Sequence, residues 1–273
     1  MRRFAPMIVL ALAACSGGAP SPDAQPSASA SAAPAPAVAP APPAPPPVTA
    51  AARKVSEAND LYEFDYVYPA QAAAIPALKA LLDKDLDEQK ASLIKDAKDA
   101  AKDSKANDWP YHAYSFDMDW KVVADLPGWL SLSTIIGTYT GGAHPNYVFD
   151  AMVWDKAANR RLAAIDMFTS KAALKAAVLK PFCAGLDRAR KLKRGDTWES
   201  DGSIDDFTRC VDPMDQTVIL GSAGKKGFDR IGFLIAPYNA GPYAEGDYEV
   251  TVPVTPAVLA AVKPEYRGAF VGR

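Results

Sequence analysis

The sequence predicts an α+β fold of two consecutive subdomains, with antiparallel meander sheets packed against helices. The predicted elements run in the order strand, helix, strands, helices, strands, which is typical of α+β proteins. Most connections between neighbouring strands are short, and short connections make neighbouring strands antiparallel. We place the subdomains at residues 53–142 and 143–273.

The folded part begins near Arg53 with one strand and one long helix. Residues 61–69 alternate aromatic and acidic side chains as a half-buried strand does, and Pro69 ends the strand. From Ala72 the apolar residues fall on one helical stripe, with Asp and Lys on the opposite face. The stripe consists of Ile75, Leu78, Leu82, Leu86, Leu93, Ala97 and Ala101. We interpret the Asp and Lys residues as a charged outer face.

Strands and further helices follow. Residues 126–128 and 156–159 predict tight reversals between strands. The predicted strands cover residues 112–124, 130–139, 147–154, 162–165, 217–220, 231–236 and 248–252. The predicted helices cover residues 171–192, with Pro181 and Gly185 as candidate breaks, then 203–211 and 256–262.

Residues 1–14 have the features of a lipoprotein signal peptide. Arg2 and Arg3 precede an apolar core too short to span a bilayer, and Cys15 follows small residues, as in a lipoprotein cleavage site. We therefore expect acyl chains on Cys15 to anchor the chain to a membrane leaflet. Ser16 follows, so the aspartate that retains Gram-negative lipoproteins in the inner membrane is absent. The expected location is the periplasmic face of the outer membrane.

Residues 15–52 comprise the lipidated cysteine and a disordered tether rich in Ala, Pro and Ser. Such a segment has too few large apolar side chains to form a core. In the polyproline II conformation it would reach roughly 100 Å, at about 3.1 Å per residue.

Charge argues against nucleic acid as a partner. Removal of residues 1–14 leaves 28 basic against 32 acidic residues, a formal charge near −4. Phosphates would require clustered Lys and Arg, and residues 191–194 are the only compact basic run. We interpret that run as a solvated helix end.

The remaining cysteines, Cys183 and Cys210, predict a disulfide in an exported chain. The alternative, a redox or nucleophilic thiol, would need a nearby base, and neither cysteine has a histidine close in sequence.

The histidines limit the enzymatic chemistry that the chain can support. His112 and His144 are the only two, and no zinc motif with paired histidines exists, so no metal or cofactor is predicted.

Asp117 and Asp119 face the same side of a strand, where they could act as acid and base or simply form a solvated face. The calcium-like loop at residues 201–206 lacks the required glycine and fits a helix N-cap better.

Two stretches carry a resemblance to a known family. The first is Tyr139-Thr140-Gly141-Gly142-Ala143-His144-Pro145, and the second runs from Ile235 to Gly246. Together they resemble the RsiV-like extracellular domain, which occurs in lysozyme-sensing RsiV anti-sigma factors and beside the catalytic domain of PdaC-type peptidoglycan deacetylases. The resemblance covers roughly residues 55–262 and implies an α+β fold and a setting at the cell wall.

The same resemblance suggests a binding function. The histidine-rich metal motif of the deacetylase is missing, and the sequence predicts no membrane-spanning helix or sigma-binding segment before the domain. We expect a non-catalytic lipoprotein that binds a cell-wall component or a lysozyme-type protein. The alternatives are an envelope glycan hydrolase or deacetylase that uses Asp117, Asp119 or His144, and a purely structural lipoprotein.

The candidate binding residues come from the two family stretches. Gly141 and Gly142 would permit positive φ or close backbone approach. Aromatic side chains with polar tips suit protein or glycan contacts. The candidates are Tyr139, His144, Tyr238 and Tyr243. The alternative is that the glycine turn only defines the fold and that His144 is satisfied by local hydrogen bonds.

Overall fold

The computed structural model describes residues 50–195, 197, 199 and 207–272. The signal peptide, Cys15, nearly all of the tether, the calcium-like loop and residues 203–206 of a predicted helix lie outside the described residues. Helices and two antiparallel-dominated sheets confirm the α+β prediction. Over the described ranges, every helix is too short or too polar to cross a bilayer.

The larger sheet has seven strands. They are β1 (Arg53–Ala58), β2 (Tyr62–Tyr68), β3 (Tyr114–Asp119), β4 (Lys121–Asp125), β5 (Trp129–Tyr139), β6 (Asn146–Asp155) and β7 (Arg160–Leu162). Their order is β1-β2-β3-β5-β6-β7, and β4 also pairs with β5. All pairs are antiparallel except β2–β3. A helical crossover between β2 and β3 makes that pair parallel, so the sheet is not a simple meander.

The predicted strand at 112–124 is two strands. Trp120 separates β3 from β4, and its indole is buried and donates to the Tyr66 hydroxyl at 3.3 Å. β3 pairs with the end of β5, and β4 pairs with its beginning. The buried Trp120 therefore divides the segment that the sequence pattern predicts as one continuous strand.

A long helix covers the inner face of this sheet. After the short α1 (Ala70–Ala73), α2 (Pro76–Ala106) packs the predicted stripe against β2 and β3, although Ile75 precedes the helix as its N-cap. The hydroxyls of Tyr66 and Tyr68 donate to Asp85 and Asp83, each at 2.6 Å. These two carboxylates are thus bound to the core, which corrects the interpretation of α2's acidic residues as only a solvated face.

The second core lies between a smaller sheet and two helices. Strands β8 (Thr217–Gly221), β9 (Arg230–Ile235) and β10 (Tyr248–Pro253) pair in the order β10-β9-β8, all antiparallel. They pack with α3 (Lys171–Arg194), α4 (Pro256–Ala261) and part of the larger sheet. The larger sheet continues across residues 142 and 143, since β5 pairs with β6 along its length.

α3 is continuous, so the predicted breaks at Pro181 and Gly185 are wrong. Leu174, Val178, Phe182 and Leu186 form one fully buried stripe that passes both residues. A Cβ on Gly185 would lie 2.5 Å from Val250 Cγ1. The glycine therefore permits close contact between α3 and β10. The described part of the predicted helix at 203–211, residues 207–211, is not helical.

The predicted disulfide is confirmed. Cys183 on α3 is bonded to Cys210, 27 positions later, with their Cα atoms 5.4 Å apart. Closing a loop of this length stabilises the fold by roughly 3–4 kcal/mol in the chain-entropy model. The bond fastens α3 to the segment that leads into β8.

Candidate functional site

The outer face of the larger sheet is only partly covered. β8 lies across strands β4, β5 and β6, and the Thr217 hydroxyl donates to the Phe149 carbonyl at 3.1 Å. At the other end of the same face, Glu63 and Asp117 are exposed. The open part of the face is bounded by the β5–β6 turn.

The β5–β6 turn contains the predicted glycine pair, and the two glycines differ. Gly141 has φ of +84°, a conformation that other residues rarely adopt, whereas Gly142 has no positive φ. A Cβ on Gly142 would meet nothing within 4 Å. Two roles were expected for the glycine pair. Only Gly141 adopts a positive φ, and a Cβ on either glycine would meet no atom closer than 3.8 Å.

His144, at the end of the turn, has partners for both ring nitrogens. Its Nδ1 lies 2.7 Å from the Pro145 carbonyl, which can only accept, so Nδ1 carries the proton in the neutral ring. Nε2 then accepts from the Tyr238 hydroxyl at 3.3 Å. The ring also stacks on Tyr243, with centroids 4.0 Å apart. We call His144, Tyr238 and Tyr243 the aromatic cluster.

The two tyrosines come from the loop between β9 and β10. Tyr243 donates its hydroxyl to the Pro145 carbonyl at 2.7 Å and stacks on Tyr238 at 5.7 Å. Tyr238 is 47% exposed and has φ of +70°. A left-handed conformation at a non-glycine residue costs free energy, and such residues cluster at functional sites. Tyr238 is therefore held in an unfavourable conformation while its ring remains accessible.

The end of α3 holds this loop in place. Arg190 is fully buried, and its Nε and Nη2 donate to the Ala240 carbonyl at 3.1 and 2.9 Å. Arg194 makes two parallel bonds to the Glu245 carboxylate, at 2.9 and 2.8 Å. Charge-assisted pairs of this geometry are among the strongest in proteins. The loop is thus held at Ala240, between Tyr238 and Tyr243, and at Glu245, just after them.

Several further contacts make this arrangement tight. Lys193 donates to the Glu245 carbonyl at 2.6 Å, so the basic run at 191–194 is not merely a solvated helix end. Burial would raise the pKa of Glu245, but hydrogen bonds from Arg194 and Tyr248 hold this pKa below its usual value. A Cβ on Gly241 would lie 2.2 Å from Glu245 Oε2, so a larger residue there would displace the Glu245 carboxylate.

The candidate carboxylates lie on the open face. Asp117 stands beside Asp65 in the register of β2 and β3, and it covers Gly137. The Asp117 side chain is partly exposed to solvent. Partial burial of its carboxylate, together with the charge of Asp65, raises the pKa of Asp117. Asp119 forms an ion pair with Lys121 at 2.5 Å.

The structure does not bring the three candidate acid–base residues into contact. Within the described part of the chain, no hydrogen bond or ion pair joins His144 to Asp117 or Asp119. The described residues also contain no group of three His, Cys, Asp or Glu side chains placed to hold a metal ion.

Tyr139 lies beside the aromatic cluster. With His144, Pro145, Glu63 and Ser115 it lines an open cavity of about 430 Å³. The sequence interpretation singled out Tyr139 and His144, and both residues line this cavity. It missed the arginines of α3, because nothing in a helical basic run indicates which carbonyl groups it will meet.

It also missed Tyr147, whose hydroxyl donates to Asp247 at 2.8 Å and joins β6 to the β9–β10 loop. Burial and the hydrogen bond to Asp247 raise the pKa of Tyr147 to about 12. The alternating pattern of β6 gives no sign of this contact, because Asp247 is 100 residues away.

Comparisons with known proteins support the resemblance. The family model described as Deacetylase PdaC matches residues 55–147, from β1 through the glycine turn into β6. This match confirms the resemblance over that segment. A search of curated proteins found no match.

Two solved structures of the DUF3298 family are similar to this chain. The one from Bacteroides fragilis is 18% identical, covers 74% of this chain and 88% of its own, and gives a TM-score of 0.49. The one from Pseudomonas aeruginosa PAO1 is 16% identical, covers 81% of this chain and 97% of its own, and gives a TM-score of 0.44.

Substitution of the two turn glycines tests their different roles. Gly141→Ala should lower the free energy of unfolding by about 1–2 kcal/mol, the usual penalty of a left-handed conformation. Gly142→Ala is the matched control and should be neutral or slightly stabilising, since alanine restricts the unfolded chain. Urea denaturation measures both, and equal effects would contradict the assignment.

Asp117→Asn should stabilise the protein at neutral pH. The folded state raises the pKa of Asp117, so ionisation of this group lowers stability as pH rises through that pKa. The variant should therefore unfold at a higher temperature than the wild type at pH 7, and the difference should vanish near pH 3. In an Asp65→Asn background the gain should shrink, because the neighbouring charge is gone. An equal gain at both pH values would refute this explanation.

Proposed function

We propose that this chain is a non-catalytic binding lipoprotein of the cell envelope. Its partner is a cell-wall component or a lysozyme-type wall-active protein. In this proposal acyl chains on Cys15 anchor it at the periplasmic face of the outer membrane, and residues 16–50 extend the folded part toward the wall. The lipoprotein features of the sequence and the match to the PdaC family model support this setting.

The observation that carries the proposal is the aromatic cluster. Tyr238 and His144 are exposed, yet hydrogen bonds, ring stacking and the α3 arginines fix their positions. A partner would meet rings that are already ordered, so little conformational entropy is lost on binding. Tyrosine is also enriched among residues that dominate binding energy at interfaces.

The surroundings of the cluster favour a neutral or positively charged partner. Glu63 lines the cavity beside His144, and Asp65 and Asp117 lie on the adjoining open face. Complementary charge across an interface accelerates encounter and disfavours wrong partners. An acidic nucleic-acid backbone would be repelled by the same face.

The test is a pull-down of the purified full-length protein with lysozyme and with purified peptidoglycan. We expect binding to at least one of them, and the Tyr238→Ala/Tyr243→Ala double variant should bind about tenfold more weakly or worse. Leu192→Ala is the matched control, because Leu192 is 88% exposed on α3 and belongs to no cluster. Binding to neither probe would remove the proposal, and undiminished binding by the double variant would remove the cluster as its site.

An enzyme of envelope glycan modification is the second candidate. It is favoured by Asp117, because a carboxyl group with a raised pKa beside a second carboxylate is suited to acid–base catalysis. In this case Asp117, Asp119 or His144 would carry the chemistry.

A variant with alanine at Asp117, Asp119 and His144 decides this question. Any hydrolase or deacetylase activity on peptidoglycan measured for the wild type should fall by at least a hundredfold, as expected when acid–base groups are removed. The Leu192→Ala protein should keep full activity. Unchanged activity in the triple variant would eliminate the enzymatic candidate.

A further inference from the structure

A second aromatic surface lies on the other side of the glycine turn. It centres on Trp109, which follows α2 and is 62% exposed. Trp120 and Trp154, by contrast, are buried in the core. Within the described residues Trp109 stacks on no other ring, so its indole faces are available to a ligand.

The backbone holds Trp109 outward. Asp108 has φ of +56°, the left-handed conformation that is common just after the end of a helix. The Trp109 amide donates to the Ser104 carbonyl at 2.9 Å, and Pro110 restricts the backbone on the other side. The left-handed Asp108 and the bond from the Trp109 amide to the Ser104 carbonyl form a common C-terminal cap of a helix, and this cap leaves the Trp109 ring outside the core.

Polar groups with free hydrogen-bonding capacity surround this ring. Trp109 lines a cavity of about 220 Å³ together with Asp103, Ser104, His112 and Thr140. In the described part of the chain, the side chains of Ser104, His112 and Thr140 form no hydrogen bond, and Asp103 accepts only from Asn107. An aromatic face beside hydroxyl, imidazole and carboxylate groups suits a ligand with both apolar faces and hydroxyl edges.

The Trp109 cavity lies on the α2 side of the larger sheet, whereas the cavity beside His144 lies on its open face. Thr140 and Gly141 line the Trp109 cavity, while Tyr139, Ala143 and His144 line the cavity of about 430 Å³ beyond it. The Trp109 cavity is therefore a site of its own, separate from the aromatic cluster.

We propose that the Trp109 cavity is a saccharide subsite, which takes one ring of an amino-sugar polysaccharide. This inference rests on the proposed function and specifies its ligand as the glycan itself. Sugar rings stack their C–H faces on indole, and their hydroxyl and acetamido groups can bond to Asp103, Ser104, His112 and Thr140. The acidic surroundings do not oppose such a ligand where its rings are N-acetylglucosamine, because that sugar is uncharged.

The experiment is a titration of the purified full-length protein with N-acetylglucosamine hexamers, followed by tryptophan fluorescence and calorimetry. We expect a fluorescence change and measurable heat for the wild type. Trp109→Ala should bind about tenfold more weakly or worse, the loss typical of an aromatic anchor, and should lose the fluorescence response. Trp109→Phe should keep part of the affinity, and Leu192→Ala should keep all of it. Thermal melts should show that each variant remains folded.

The outcomes separate this inference from the proposed function. Saccharide binding that survives in Trp109→Ala would overturn the subsite. Lysozyme binding without saccharide binding would overturn it too and leave the proposed function standing. If neither lysozyme, peptidoglycan nor the hexamer binds, both are wrong.

Discussion

The buried guanidinium of Arg190 is the interaction on which the second half of the structure depends. A charge without solvent is costly unless hydrogen bonds replace water. Arg190 meets this requirement by donating to the carbonyls of Ala240, Thr208 and Arg209. One side chain thereby joins α3, the segment just before Cys210 and the loop that carries the aromatic cluster. Removing it would take hydrogen bonds away from two separate segments of the chain.

This arrangement explains why exposed aromatic residues can be ordered. The loop from Ala236 to Asp247 has little apolar packing of its own, yet Arg190, Lys193 and Arg194 bind its backbone and its only glutamate. The disulfide at Cys183 fixes the middle of the same helix. The recognition surface is therefore supported from behind by the core.

Two unfavourable local features lie near the β5–β6 turn. Tyr238 adopts a left-handed conformation, and burial and the charge of Asp65 disfavour the ionised form of Asp117. Each lowers stability without an evident gain in packing. Proteins accept such conflicts mainly at functional sites, which supports binding over a purely structural role.

The sequence determined the elements and much of the chemistry by itself. Periodicity predicted the apolar stripe of α2 and most strands, and the even pair of cysteines predicted the disulfide, because both depend on local pattern or on cysteine count. The family stretches also identified Gly141, His144, Tyr238 and Tyr243 before their geometry was known.

Only the tertiary structure decided what those residues contact. The continuity of α3 past Pro181 depends on burial of its stripe, and the need for Gly185 depends on Val250, 65 positions later. The contact of His144 with Tyr238 and the exposure of Trp109 likewise depend on how distant segments pack. Sequence pattern reports local preference, whereas a site built by side chains about 100 residues apart is set by the packing of the whole chain.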